Sequence, residues 1–340
     1  MSGYDSTVES TNLAKLNLDV DAETGTGSST VSSSPCDFLD TSLPLFDLRE
    51  ESSLASTASH IIIHMPFSSI MQRCPQLPPR NVPFAVLISD QAQKEEVLEW
   101  FAVTKSKYNN SVRIQFPLAF LLVATPEFLV RIKESEPAPP SPFAPRLWVP
   151  DPLVEVVEPL LLLGSYTRLV DLGCGSSRDL TYLAERTPKG TVEFIGVDNH
   201  PGAPKRCAPL FEYHGVSPTI LDVDLRKEPS WEALLNPPEG QLPTIFMSVR
   251  YLNRPLLTHF ASSPTVATMT IAVSHFCRAS SIADWPFDHP RPSQVLHRTE
   301  LSRIFRPPQW KILHDKIVID SDHGRTMQQF IVTRLGKSIR

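Results

Sequence analysis

One stretch limits the fold of this chain more than any other: Leu169-Val170-Asp171-Leu172-Gly173-Cys174-Gly175-Ser176-Ser177-Arg178-Asp179. An apolar strand, predicted over Arg168–Leu172, runs straight into a glycine turn, and a helix pattern follows over Ser176–Glu185. That unit belongs to open, mostly parallel sheets whose strands are joined by crossover helices. Gly173 and Gly175 permit positive φ and close approach of a ligand to the backbone. The first turn of the helix presents unpaired N–H groups. The next predicted strand, Glu193–Asp198, ends in Asp198-Asn199, about 25 residues beyond the turn, where a carboxylate can accept both hydroxyls of a ribose.

The alternation continues on both sides. A helix over Pro152–Leu163, interrupted near its end by Pro159, precedes the glycine strand. Strands over Thr219–Val223, Thr244–Val249 and Thr265–Val273 alternate with helices over Ser230–Leu235, Pro255–Ala261 and Arg298–Phe305. Trp310–Ile319 and Gln328–Arg334 read as two closing strands, with Asp320–Arg325 as the turn of an antiparallel hairpin. Upstream, Leu43–Leu48, Val82–Ile88 and Val112–Phe116 read as strands of a smaller α/β unit. Its helix, over Gln91–Thr104, carries Val97, Leu98 and Phe101 on one face. Five prolines in Ser135–Arg146 exclude helix and sheet interior there. The first residues, rich in Ser, Thr and acids, cannot bury enough apolar surface to offset their ordering entropy. The expected organisation is a disordered tail open to phosphorylation (1–40), a small α/β domain (41–134), a proline-rich linker (135–147) and a larger α/β domain (148–340).

A nicotinamide or flavin site calls for Gly-x-Gly-x-x-Gly, and here the third position is Arg178. Asp171-Leu172-Gly173-Cys174-Gly175 instead resembles motif I of class I S-adenosyl-L-methionine-dependent methyltransferases. The resemblance extends to Asp222-Val223-Asp224-Leu225-Arg226 after the third strand, where that class places an acid and an apolar residue beside the adenine. It extends to Ser248-Val249-Arg250-Tyr251-Leu252-Asn253-Arg254 after the fourth strand and Val273-Ser274-His275-Phe276 after the fifth. The run Pro290–Leu301 and the later Asp322-His323-Gly324-Arg325 are similar to the tellurite-resistance branch of small-molecule methyltransferases.

The resemblance implies a Rossmann-like methyltransferase sheet closed by a terminal antiparallel hairpin. It implies S-adenosyl-L-methionine as cofactor, held by Asp171, Leu172, Gly173, Cys174, Gly175, Asp198, Asn199, Asp224 and Leu225. It makes Arg250, Tyr251 and Arg254 the catalytic candidates, facing a small polar or anionic acceptor. Neither arginine can act as a base, because guanidinium stays protonated; their expected role is to hold the acceptor, with Tyr251 orienting it or taking its proton. One departure is Ser177, at a position often filled by a third glycine, where it crowds the loop.

The smaller unit resembles a rhodanese domain. Leu45-Phe46-Asp47-Leu48-Arg49-Glu50 matches that family's first strand and acid-x-Arg signature. Ser59-His60-Ile61 with Met65-Pro66, then Arg73 and Leu77-Pro78-Pro79, follow its next segments. The nucleophilic cysteine is expected after the central strand, where this chain has Ser89. A hydroxyl cannot hold transferable sulfur, so the module is expected to be non-catalytic and open to a protein partner. The alternative for the whole chain is a non-catalytic two-domain binding or regulatory protein, which Ser89 and Ser177 favour.

Several classes are disfavoured. A net charge of −5 leaves no basic footprint for nucleic acid. Leu160-Leu161-Leu162-Leu163 is far too short an apolar run to cross a bilayer. Five cysteines without a CxxC pair argue against a disulfide framework and against structural zinc. The acidic start argues against a secretory signal, so a reduced, cytoplasmic protein is expected. His60 and His64 flank β-branched Ile61-Ile62-Ile63, a strand pattern that would set the imidazoles about 13 Å apart, so no metal site is expected. Trp285, Phe287 and His289 are candidate lid residues.

Overall fold

The computed structural model describes residues 31–334 apart from 33, 53, 58, 79–81, 103, 106–112, 115–117, 139–140, 236–241, 264–268, 279–289 and 320–323. The candidate lid and most of the turn assigned to 320–325 lie outside the described residues.

The first sheet contains β1 (Leu45–Asp47), β2 (Ile62–His64) and β3 (Phe84–Ile88). After a short antiparallel pair, β4 (Thr104–Lys105) and β5 (Arg113–Ile114), it gains β6 (Leu118–Val123). The order is β2-β1-β3-β6, all parallel. β3 is central and buried along its whole length, which is why its sequence is an unbroken apolar run. The helix after it, α3 (Lys94–Ala102), turns Val97 and Phe101 inward as the sequence predicts.

Three local features differ from the sequence reading. Of the strand predicted over 112–116, the described residues form β5, and the sheet strand is Leu118–Val123. The helix α4 (Pro126–Glu134) was not predicted; Thr125 caps it by accepting the Phe128 N–H, and Pro126 fits its first turn. A continuous apolar run such as Leu118–Ala124 carries neither period, so the sequence does not separate strand from helix there. Third, part of the span assigned to the tail is structured. A short helix, α1 (Pro35–Leu39), buries Phe38 against the rings of His60, Phe120 and Phe128.

The second sheet starts with β7 (Arg168–Leu172), preceded by α5 (Pro152–Leu162), which runs through Pro159. The chain continues through α6 (Arg178–Arg186), β8 (Glu193–Asp198), α7 (Ala203–His214) and β9 (Thr219–Asp222). It then passes α8 (Glu228–Leu235), β10 (Thr244–Val249), α9 (Arg254–Ser262) and β11 (Met269–Arg278). The short β12 (Leu296–His297), α10 (Glu300–Ile304), β13 (Trp310–Ile319) and β14 (Thr326–Arg334) complete it. The order is β13-β14-β11-β10-β7-β8-β9, with β12 alongside the end of β11. Strands β7 to β11 are parallel to their neighbours; β14 is antiparallel to both β11 and β13. Helices α5, α6 and α7 pack one face through Val154, Leu180 and Leu210. Helices α8, α9 and α10 pack the other through Trp231, Phe260 and Leu301.

Helix α7 was also unpredicted, because Pro204 and Pro209 argue against a helix. Pro204 sits in the first turn, where its missing N–H is harmless, and only Pro209 lies inside. Gly215 (φ +62) ends the helix, and the Val216 N–H donates to the Phe211 carbonyl at 3.0 Å. The two sheets belong to one compact unit, Ser32–Arg340. Gln76 donates to the Pro209 carbonyl at 3.3 Å, and Arg178 to the Leu77 carbonyl at 3.3 Å. Among the described residues no helix is long and apolar enough to cross a membrane.

This topology sets the place of a site. The chain builds outward from β7 to β9, then returns to the other side of β7 as β10. The carboxyl ends of β7 and β10 therefore lead to loops on opposite sides, leaving a crevice between them.

Candidate functional site

The loop after β7 is shaped by alternating left-handed residues: Gly173 (φ +72), Gly175 (φ +55) and Ser177 (φ +58). The N–H groups of Gly173 and Cys174 both donate to the Val197 carbonyl of β8, at 2.8 and 3.0 Å. The Ser177 N–H donates to the Cys174 carbonyl at 2.7 Å. A side chain in that backbone region costs about 1–2 kcal/mol. Ser177 sits there fully buried, its hydroxyl 3.3 Å from the Cys207 thiol, so its bulk points inward.

Gly173 is required on a second count. A Cβ there would lie 2.5 Å from Cγ of Tyr251, whose ring covers the turn. Gly196, on β8, has a similar role behind the loop: a Cβ would lie 2.8 Å from Cys174 Sγ and 2.6 Å from Ile220.

A cleft of about 430 Å³ opens at the crevice. Gly173 lines it from β7, Asp198 and Asn199 from β8, and Val223, Asp224, Leu225 and Arg226 from β9. Val249, Arg250 and Tyr251 line it from β10. Asp198 accepts the Gly175 N–H at 2.9 Å and the His200 N–H at 2.7 Å, one on each oxygen. A carboxylate has about four acceptor positions, so two remain for a ligand. Asp224 is gripped by the Arg226 guanidinium at 2.8 and 3.0 Å. Those hydrogen bonds hold its carboxyl down to about 2. The Leu225 carbonyl accepts from Trp231 Nε1 at 2.7 Å and from Asn253 Nδ2 at 2.6 Å, fixing the β9 loop to α8 and to the start of α9.

Five of the nine cofactor candidates thus converge on the cleft. Asp171, Leu172, Cys174 and Gly175 lie behind it. Asp171 is buried, and burial first, then Asp179 and Asp198, pushes its carboxyl well above the usual range. Asp179 is also buried and rises to about 6, although it accepts the Asp151 N–H at 2.9 Å. The Cys174 thiol is pushed up by burial and by Asp171, which suits packing rather than reactivity.

The three catalytic candidates separate. Arg250 and Tyr251 line the cleft. Arg250 has φ +56, and its N–H donates to the Ser274 carbonyl at 2.7 Å. Burial raises the Tyr251 phenol, which favours its protonated form. Arg254 does not line the cleft. It is paired with Glu300 and donates to the carbonyls of Ser293 and Val295 at 2.8 and 2.9 Å, so its donors hold the segment before α10. The sequence reading chose none of Val223, Arg226 and Val249 as site residues. Arg226 was detectable as the cation two residues past Asp224; the two valines carry no sequence signal beyond their strand ends.

In the smaller sheet, Asp47 is fully buried and paired with Arg49 at 2.7 Å. His64 Nε2 lies 2.8 Å from the Arg49 carbonyl, and His60 Nε2 lies 3.4 Å from the Phe38 carbonyl. Each imidazole faces a different backbone carbonyl. Among the described residues no group of three His, Cys, Asp or Glu side chains is placed to hold a metal.

No family model and no curated protein matches this chain. Among solved structures it is similar to a SAM-dependent methyltransferase from Aquifex aeolicus, with 14% identity and a TM-score of 0.37 over 54% of this chain and 89% of that one. It is similar to TehB from Haemophilus influenzae, with 16% identity and a TM-score of 0.37 over 54% of this chain and 61% of that one. A putative O-methyltransferase from Klebsiella pneumoniae has 12% identity and a TM-score of 0.41 over 57% of this chain and 84% of that one.

Proposed function

We propose that this chain binds S-adenosyl-L-methionine in the cleft at the β7/β10 crevice and transfers its methyl group to a small polar or anionic acceptor. The observation that carries this reading is the convergence of Gly173, Asp198 and the Asp224-Leu225 pair from three consecutive parallel strands onto one cleft. The donor set fits the cofactor. The cleft volume lies within the ordinary range for small-molecule sites, roughly 300–1,000 Å³. Asp198 has acceptor positions for ribose hydroxyls, Leu225 and Val223 offer an apolar wall, and Gly173 keeps the floor low. A bound sulfonium supplies an already activated methyl, so the protein's task is alignment and exclusion of water. Arg250 and Tyr251 stand on the acceptor side of the cleft and orient the acceptor.

The smaller sheet is a rhodanese-like module without its nucleophile in this reading, with the Asp47–Arg49 pair as the remnant of that family's signature. The linker at 135–147 and the tail complete the proposed organisation. Titration calorimetry with S-adenosyl-L-methionine tests the proposal. Micromolar to submillimolar binding is expected, and absence of binding at millimolar cofactor sinks it. A second reading, a non-catalytic binding protein, is favoured by one observation: Arg226 occupies the Asp224 carboxylate inside the cleft. Cofactor binding without turnover on pools of thiols, oxyanions and carboxylic acids, followed with labelled methyl, selects it.

A further inference from the structure

The loop after β7 takes part of its support from outside itself. Its backbone is left-handed at Gly173, Gly175 and Ser177, and a serine held in that region is strained. Gly175, in the middle, is held on both sides. Its N–H donates to Asp198 at 2.9 Å, and its carbonyl accepts from Arg206 Nη2 at 2.9 Å. Asp198 ends β8, but Arg206 belongs to α7. The position of α7 therefore decides where the second of these holds falls.

Helix α7 is in turn held by the unit that carries the smaller sheet. Gln76 is 1% exposed and uses both ends of its amide. The nitrogen donates to the Pro209 carbonyl of α7 at 3.3 Å, and the oxygen accepts from Arg73 Nε at 3.0 Å. Arg73 also donates from Nη1 to the His64 carbonyl of β2 at 2.8 Å. Its guanidinium stands 5.3 Å from the ring centroid of Tyr213, also on α7, within reach of a cation–π contact. Pro209 brings no N–H to its helix, so the outside donor meets α7 where its own ladder is interrupted. The next residue, Leu77, accepts from Arg178 Nη2 at 3.3 Å. Arg178 opens α6 directly after Ser177. One short segment, 73–77, thus touches both helices that border the loop.

We infer that Gln76 and the Leu77 carbonyl are positioning groups for the loop after β7. Gln76 fixes α7, which carries Arg206 to the Gly175 carbonyl, and Leu77 fixes Arg178 and with it the exit of the loop. The smaller unit raises ligand affinity in this way without touching the ligand, because a loop already held in shape has less ordering to undergo on binding. That the ligand is S-adenosyl-L-methionine rests on the methyl-transfer reading; the brace does not.

The test uses the full chain and two readouts: amide hydrogen exchange without cofactor, and titration calorimetry with S-adenosyl-L-methionine. Gln76→Glu keeps an oxygen for Arg73 and removes the donor to Pro209. Arg178→Met removes the donor to Leu77 and keeps a long stem, while Arg178→Lys restores a donor. Gln76→Glu and Arg178→Met are each expected to speed exchange of the Gly173, Cys174, Gly175 and Ser177 amides at least threefold and to weaken the cofactor at least threefold. Arg178→Lys is expected to stay closer to the parent in both. Exchange in β13 and β14 should not change, which separates local loosening from general destabilisation. If one variant fails to fold, the other carries the test. Parent-like loop exchange in a folded variant, an equal rise in β13 and β14, or faster loop exchange with unchanged cofactor affinity overturns the inference. A parent chain that binds no S-adenosyl-L-methionine sinks the methyl-transfer reading instead, and loop exchange alone then decides the brace.

Discussion

The chain contains the same local device twice, and the two copies differ in who satisfies the loop. Both β3 and β7 are interior parallel strands buried along their length, and each runs into a turn followed by a helix. After β3, Asp90 accepts the N–H groups of Ala92 and Gln93 at 2.8 and 3.3 Å, and the Gln93 side chain accepts the Ser89 N–H at 3.3 Å. That loop caps itself and lies exposed from Ser89 to Ala92. After β7, the amides of Gly173, Cys174 and Gly175 go to the next strand, to the Val197 carbonyl and the Asp198 carboxylate. The neighbouring strand ends then stand beside the loop and make a cleft with it. A binding site of this kind is a property of adjacent strand ends, and the turn sequence supplies only its floor.

The largest expected effect tests that floor. Gly173→Val meets both a left-handed backbone and the Tyr251 ring at 2.5 Å. Strain of about 1–2 kcal/mol and overpacking of about 1–3 kcal/mol predict a loss of about 3 kcal/mol or more of stability. Cofactor binding is expected to be lost. Gly175→Ala shares the left-handed backbone, but its Cβ would meet nothing within 4 Å. It should lose only about 1–2 kcal/mol by denaturant unfolding. Equal losses for the two variants would show that Tyr251 does not press on the turn.

Next comes the strand-to-strand support. Asp198→Ala should weaken S-adenosyl-L-methionine by about 1.5–3 kcal/mol, since it removes charge-assisted hydrogen bonds. Asp90→Ala, the matching change in the self-capped loop, should lower stability by about 1 kcal/mol through the lost cap and leave cofactor affinity alone. Calorimetry on both variants decides. If Asp90→Ala weakens the cofactor as much, the two loops are coupled and the contrast between them fails.

This contrast also explains what the sequence could reveal. Strands β7, β8, β10 and β13 were legible to the residue, because a fully apolar or strictly bounded run leaves little choice of period. Gly173 and Asp198 were legible because their chemistry and spacing are specific. The fate of Arg254 was not, since Glu300 lies far along the chain and only the packing of α9 against α10 brings them together. The helix α7 was hidden by Pro204, which the first turn tolerates, and by Pro209 inside it. Asp171 was read as a ligand from its place before the turn, but strand alternation turns it toward α6, where it is buried beside Asp179.

Those buried carboxyls give the large loop a pH signature. Asp179 rises from 3.8 to about 6. Below about pH 4 it is protonated whether folded or unfolded and costs nothing. Between pH 4 and 6 the unfolded chain ionises first, so stability falls as pH rises; above 6 the penalty is constant. His275, lowered to about 4 by burial, has the opposite slope: its contribution is complete above 6.5 and is lost as pH falls from there to 4. Asp179→Asn keeps an oxygen for the Asp151 N–H and removes the carboxylate. The variant should gain stability over the parent by on the order of 2 kcal/mol at pH 7 and little at pH 4. Chemical denaturation across that range measures it. A pH-independent difference would mean that Asp179 does not titrate in this window.

The smallest expected effect concerns the self-capped loop. If only the nucleophile had decayed there, Ser89→Cys would restore sulfur transfer from thiosulfate to cyanide. A thiolate, and the persulfide formed on it, must be stabilised by loop N–H groups, and the charge must be met before the bond to sulfur is made. In this loop the Ser89 N–H is bonded to the Gln93 side chain, and the N–H groups of Ala92 and Gln93 are bonded to Asp90. The nearest anionic group, Asp90, also repels a thiolate one residue away. Ser89→Cys is therefore expected to fold normally and to form thiocyanate no faster than the parent. Adding Asp90→Gly and Gln93→Gly frees those amides, so a rise in rate confined to the triple variant supports self-capping as the block. Robust turnover by Ser89→Cys alone would show that the loop still cradles an anion, and the distinction between the two loops would rest on the missing thiol only.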